Sequence, residues 1–175
     1  VEEMEKNVDS LLVINNEKLR KIHGDQKISE AFGHADEVLA VAAKGIAEII
    51  TVHGQVNVDF ADVETVMRNS GVAIMGSAVA GGENRSMIAI KKALNSPLLN
   101  SSDISGAKNI LLNVTSGEEE FRLDELGEVT DFVQSAVKDD VQIIWGNGND
   151  PELGEKIRVV IIATGFKKHD IHEIF

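Results

Sequence analysis

Residues 28–54 read ISEAFGHADEVLAVAAKGIAEIITVHG, and this stretch organises the rest of the chain. Phe32, Ala35, Leu39, Ala42, Ile46 and Ile49 recur at steps of three and four, and Ile28, Val38 and Ile50 widen the stripe. That period belongs to an α-helix with one face in a core. Gly54 follows His53 where a helix-ending glycine is expected. Some 25 residues rising ~1.5 Å each make a rod of about 37 Å, the width of a domain. A helix of that length near the start of the chain is expected to bridge two structural units.

Towards the N-terminus, Val1 to Lys6 looks like the end of a helix. The apolar run Ser10 to Ile14, stopped by Asn15-Asn16, reads as a buried strand followed by a helix that one of the asparagines caps. Beyond Gly54 the pattern alternates. Ala61 to Arg68 reads as a short helix, Val72 to Val79 as a strand rich in small residues, and Asn84 to Leu94 as a helix ended by Ser96-Pro97. Lys108 to Thr115 reads as a strand, and Leu123 to Val137 as a helix with Leu126, Val129, Phe132, Val133 and Ala136 on one face. Val141 to Trp145 reads as a strand, Gly146 to Pro151 as a loop, and Ile157 to Ala163 as a strand. This order predicts an α/β fold, an α+β two-layer sandwich in which the long helix precedes a mixed sheet of about four strands with flanking helices. The short connection between the last two strands predicts that they pair antiparallel.

The 175 residues hold 17 Lys+Arg against 29 Asp+Glu, a net charge of −12, with 4% aromatics and no tyrosine. That balance argues against nucleic acid as a partner, because phosphate neutralisation and base stacking supply that affinity. No apolar run approaches the ~18 residues of a membrane span, so no direct membrane insertion is expected. The absence of cysteine removes thiolate catalysis and iron–sulfur sites, and fits a reducing compartment. No signal peptide is visible and the chain starts at Val1, so it is expected to be cut from something larger.

The run Asn57-Val58-Asp59-Phe60-Ala61-Asp62 follows the long helix. As local structure it is a helix start: Asp59 the N-cap, Asp62 the acid at N3, and Val58 and Val63 the hydrophobic staple. As chemistry, both carboxylates and the Asn57 amide can face outward from the end of a rigid rod and orient a water or bind a cation. An ordinary aspartate, of pKa about 3.9, is a weak base at neutral pH, so positioning a nucleophile suits it better than abstracting a proton. Gly76-Ser-Ala-Val-Ala-Gly-Gly-Glu83 imitates a phosphate loop but lacks its lysine and hydroxyl, and its small residues fit close packing instead. Phe32 and Asp36 lie one helical turn apart. They read as a core residue and an acidic first turn; with Asn16 they can also clamp a base by stacking and hydrogen bonds. His169 and His172 have metal-pair spacing but no third ligand, so no metal is expected. Trp145 reads as core.

Val56-Asn-Val-Asp-Phe-Ala-Asp-Val63, then Met67 and Ala73-Ile-Met-Gly-Ser77, closely resembles the FtsZ family of tubulin-like cell-division GTPases. So do Asp9 to Ile14, Gly82-Glu-Asn-Arg85, Ser96-Pro-Leu-Leu99, Leu112-Asn-Val-Thr115 and Val160-Ile-Ile-Ala-Thr-Gly165. The resemblance covers only the second half of that fold; the glycine-rich phosphate-binding loop has no counterpart. It implies that 1–27 is the last strand and helix of the GTP-binding domain, 28–53 the central helix, and 54–70 the synergy loop with a short helix. Residues 71–166 would be the C-terminal sheet domain and 167–175 the start of a tail.

By resemblance, GTP with magnesium is held by the missing N-terminal domain, and no cofactor belongs to this stretch alone. Subunits associate head to tail in cytoplasmic filaments at the division septum, and further division proteins bind a C-terminal tail peptide that is also missing. Asn57, Asp59 and Asp62 match the synergy loop's Asn-x-Asp-x-x-Asp, which the next subunit inserts over the γ-phosphate; there the two aspartates orient the attacking water and Asn57 helps dock the loop. Asn16, Phe32 and Asp36 match positions that contact guanine in the full-length protein. Gly45, Asn113 and Thr164 match a cleft between central helix and sheet domain where inhibitors bind in relatives.

The first functional expectation is therefore a GTPase-activating half-site, inactive by itself, that supplies carboxylates in trans. The second is a structural module that caps a filament end without catalysis. A third, independent of the resemblance, is a small-molecule-binding α/β domain, which a thermal-shift screen would reveal. Without a partner domain, the stripe of the long helix and the Leu11 to Ile14 strand would be exposed. The chain is then expected to pair with itself across that surface, by exchange of the N-terminal segment, or to have a mobile N-terminus. Light scattering should report a dimer or hydrogen exchange an unprotected segment 1–30; a strict monomer with that segment protected would contradict the expectation.

Overall fold

The computed structural model describes residues 2–12, 25, 27–51, 56, 58–95, 104–137 and 141–166. A single turn α1 (Glu2–Glu5) leads to strand β1 (Ser10–Leu12), the long helix α2 (Ile28–Thr51) and the short helix α3 (Phe60–Met67). There follow β2 (Gly71–Ala80), α4 (Arg85–Leu94), β3 (Asn109–Ser116), α5 (Leu123–Ala136) and β4 (Gln142–Asn149). A 3-10 turn at Pro151–Leu153 then connects to β5 (Ile157–Thr164). The helix expected after Asn16, the Gly54 stop, the Ser96-Pro97 break and the 167–175 tail with His169 and His172 lie outside the described residues.

The five strands form one mixed sheet in the order β1-β2-β5-β3-β4. β5 runs antiparallel to both β2 and β3, while β1 and β4 pair parallel at the two edges. Side chains of β5 alternate between faces as a pleated strand requires. Ile157, Val159, Ile161 and Ala163 join the core beneath α4 and α5, and Val160 and Ile162 join a second core beneath α2 and α3. Gly76 lets α4 lie directly on β2, since a β-carbon there would stand 2.1 Å from the Ala93 carbonyl oxygen. The small residues of Gly76 to Ala80 thus serve close packing, within a strand. Trp145 is half-buried and packs against the α4/α5 core.

Two expectations about the C-terminal strands are corrected. β4 and β5 do not pair with each other, because β3 lies between them. β3 and β5 are buried along almost their whole length and take interior places, whereas β4 is half-exposed and takes an edge. Asn149 and Ile157 both sit opposite Ser116, so the connection only has to cross the end of one strand, about 10 Å. Gly146 to Asn149, expected in a loop, continue β4 in register with Asn113 to Ser116. Ladder pairing with a central strand outweighs the weak strand preference of glycine and asparagine.

The long helix meets the sheet through its C-terminal part. A β-carbon on Gly45 would lie 2.9 Å from Met75 Cε, and Ile49 is 3% exposed. At the other end Ile28 and Phe32 are 78% and 52% exposed, so Phe32 does not join the core stripe in which its spacing placed it. From Ile28 to Gly45, which lies on Val160 of the sheet, the helix runs about 25 Å along its axis.

Arg85, the first residue of α4, is 4% exposed and finds an acceptor for each of its five N–H groups. Its Nε and Nη2 reach the two Glu125 carboxylate oxygens at 3.0 and 3.1 Å. The carbonyls of Glu119, Glu120 and Glu155 accept the remainder at 3.0–3.2 Å. One guanidinium thereby ties α4 to α5 and to the loops before α5 and β5. Burial of Glu125 works to raise its pKa, but hydrogen bonds from Arg85 and the Arg122 backbone N–H, with both guanidinium charges, hold it below the usual glutamate range. The stability tied to that lowered pKa is fully present above the unfolded-state value of about 4.3, and is lost as pH falls through the lower folded value. Glu125→Gln should cost about 2 kcal/mol at pH 7 in denaturant titration. The gap from the unaltered chain should close as pH drops below about 4, and a pH-independent gap would contradict the assignment.

Candidate functional site

Val56 and Val58, between α2 and α3, are both held against β4. Val56 and Asn147, distant in sequence, exchange two hydrogen bonds: the Val56 N–H donates to Asn147 Oδ1 at 2.8 Å, and the Asn147 N–H donates to the Val56 carbonyl at 3.0 Å. Val58 turns inward, 4% exposed, into the core shared by Ile49 and Val63. It packs so closely on Gly146 that a β-carbon there would stand 2.6 Å from Val58 Cγ2.

Asp59 then opens α3 with a capping box. Its Oδ1 accepts from the Asp62 N–H at 2.9 Å, and Asp62 Oδ2 accepts from the Asp59 N–H at 3.1 Å. The box satisfies orphan helix donors and holds both side chains still. It uses one oxygen of each carboxylate, so the second oxygen of each stands outside it. Asp59 is exposed and Asp62 half-buried, with Phe60 65% exposed between them. The helix-start reading and the functional reading are thus compatible: folding needs hold the two acids in place at the surface. Asn57 lies outside the described residues, and among those described no group of three His, Cys, Asp or Glu gathers that would hold a metal ion.

Phe32 and Asp36 are both exposed, one turn apart near the start of α2, and Asn16 lies outside the described residues. Asp59 and Asp62 follow the other end of that helix, and Val58 is anchored beside Ile49. Asp36 and Thr51 alone are separated by about 22 Å along the axis. The structure therefore does not bring Phe32 and Asp36 together with the carboxylates within one molecule.

Gly45, Asn113 and Thr164 all lie on the sheet side facing α2 and α3. Gly45 sits over Val160, the cross-strand neighbour of Asn113. Asn113 is 4% exposed, and its Nδ2 makes a long 3.5 Å hydrogen bond to Thr115 Oγ1. Thr164 is fully buried about 13 Å further along β5, where its hydroxyl donates to the Val66 carbonyl at 2.7 Å and pins α3.

Sequence reasoning missed two contacts that hold this region. One is the Gly146-Asn147 platform; a glycine inside a strand, marking a close backbone approach, was the available signal. The other is Arg158, whose Nη1 lies 3.3 Å from Glu48 Oε2 on α2 and 3.6 Å from Asp150 Oδ2. No sequence signal pairs residues so far apart.

The family model described as FtsZ family, C-terminal domain, matches residues 71–167. A cell division protein FtsZ from Porphyromonas gingivalis is 46% identical over 167 residues, which is 95% of this chain and 36% of that protein. A solved structure titled FtsZ dimer, empty, from M. jannaschii superposes with a TM-score of 0.83 at 43% identity, covering 94% of this chain and 47% of that one. GDP-form protofilaments of Bacillus thuringiensis serovar israelensis TubZ share the fold, with a TM-score of 0.75 at 14% identity over 94% of this chain and 44% of that one. The chain thus spans between about a third and a half of the length of these relatives.

Removing the cap acceptor separates folding from charge. Asp59→Ala should destabilise the chain by about 1 kcal/mol, while Asp59→Asn should stay within a few tenths, because asparagine caps as well as aspartate. Equal losses in urea titrations of the two variants would show that the capping box does not set the stability of α3.

Proposed function

The chain belongs to the FtsZ family, and from that premise we propose that it is the GTPase-activating half of a tubulin-like cell-division protein, presenting Asp59 and Asp62 to GTP held by the adjacent filament subunit. The observation that carries this reading is the separation along α2. The base-contacting candidates Phe32 and Asp36 lie at one end of the helix and the two carboxylates beyond the other. If both sets serve one nucleotide, they come from two molecules stacked head to tail.

Hydrolysis of GTP joins a water oxygen to the γ-phosphorus and breaks the bond from that phosphorus to the β–γ bridging oxygen. GDP departs, and the water's proton passes to phosphate and solvent. The two aspartates contribute chiefly by placing the water in line, since positioning and electrostatics dominate phosphoryl transfer. In this reading the carboxylate oxygens left outside the capping box hold the water, and Asn57 helps dock the loop against the neighbouring subunit. Magnesium bound with the nucleotide neutralises phosphate charge, and its ligands belong to the subunit that binds GTP. The chain works in the cytoplasm at the division septum, within filaments of further FtsZ subunits. Gly45, Asn113 and Thr164 form the helix–sheet seam where small inhibitors enter.

A second reading has its own observation. The capping box accounts for both carboxylates as folding devices, and Phe60 and Val56 are exposed apolar residues beside them. That surface fits a filament-capping contact without chemistry.

Single-turnover phosphate release separates the two. A GTP-loaded FtsZ relative stripped of its own loop carboxylates is mixed with this chain or with its Asp62→Ala variant. The chain should accelerate release by about a hundredfold or more, the scale of a positioned proton-transfer or water-orienting group, and the variant should bind without accelerating. Binding without acceleration by the unaltered chain would leave the capping reading in its place.

A further inference from the structure

We propose that Asn147, with Gly146 beside it, is a positioning residue for the carboxylate loop, acting from the edge of the sheet through Val56. This rests on the catalytic reading above, which assigns the chemistry to Asp59 and Asp62 and gives no role to β4.

β4 is an edge strand, paired on one side only with β3. Its outer edge offers backbone groups that need partners. At Asn147 they find one: the backbone N–H donates to the Val56 carbonyl, and the side-chain carbonyl takes the Val56 N–H. Val56 is thereby held at both of its polar backbone groups by a single residue. On the same stretch, the missing side chain of Gly146 makes room for Val58, and Val56's carbonyl lies 3.3 Å from where a Gly146 β-carbon would be. Three residues after Val56 the capping box begins. The path from Asn147 to the carboxylates is short, and each step is a close contact: Asn147 to Val56, Gly146 to Val58, then Asp59 and Asp62 in the box.

This placement matters because orienting a nucleophile is sensitive to distance, and a shift of about 1 Å costs on the order of a hundredfold in rate. The capping box fixes the two acids relative to α3. The Asn147 clamp fixes Val56, the residue that leads into them, relative to the sheet. Loss of the clamp would leave α3 and its carboxylates folded but let the approach of the loop drift.

The test uses the phosphate-release assay above across a range of chain concentrations, with Asn147→Ala, Asn147→Asp and Asp62→Ala in parallel. Hydrogen exchange at the Val56 amide is followed on the same variants. Asn147→Ala should lower the saturating rate by about tenfold, a partial misplacement on that scale, with the half-saturating concentration little changed. It should also speed exchange at Val56 while β4 stays protected. Asn147→Asp, which keeps the accepting oxygen, should restore both. The proposal is overturned if Asn147→Ala changes only the half-saturating concentration, if Val56 exchange does not respond, or if Asn147→Asp behaves like Asn147→Ala. If Asp62→Ala is as active as the unaltered chain, the catalytic reading itself fails and this inference falls with it. If Asp62→Ala is inactive and Asn147→Ala is fully active, only the inference fails.

Discussion

β5 carries apolar side chains on both faces, and the other elements are arranged around the need to cover both. A strand of this kind is stable only in the interior of a sheet with helices above and below. β2 and β3 flank it, α4 and α5 close one face, and α2 and α3 close the other. The candidate site depends on this directly. Val160 meets α2 at Gly45, and Thr164 holds α3 by its backbone. The core that receives Val58 is built on Val160 and Ile162. The loop that carries the two aspartates is therefore seated on the second face of the same strand that anchors α4 and α5 on the first.

Charge is distributed to the same end. With a net charge of −12, the chain carries far more carboxylates than it can pair. Where burial demands it, at Arg85, it matches every donor of the cation. A buried guanidinium lacking one of these partners would be costly, so the network constrains geometry more than it adds stability. On the α2 side the less buried Arg158 lies between Glu48 and Asp150. An arginine thus ties a helix to neighbouring elements on each face, Arg85 fully and Arg158 through one nitrogen.

Most of the secondary structure could be read from periodicity. The helical span of α2, the Leu126–Val129–Val133 face of α5 and the apolar run of β5 each follow from local spacing and composition, which are set by the geometry of helix and strand. The helix start at Asp59 was equally readable, because capping is a matter of residues three apart. Trouble came where a distant partner decided the outcome. Gly146 to Asn149 have the composition of a turn and became strand because β3 lay alongside to pair with them. Phe32 has the spacing of a core residue and is exposed, about 20 Å along the helix from Gly45, where α2 lies on the sheet.

The sequence by itself determined the elements, their order, the two carboxylates at a helix start and the family, since all of these rest on residues close together in the chain. Tertiary structure alone decided that β5 enters between β2 and β3, that β4 and β5 stay apart, and that Asn147 reaches back to hold Val56. These outcomes depend on which surfaces must be buried against which. That is a property of whole faces competing for interior positions, and no local spacing encodes it.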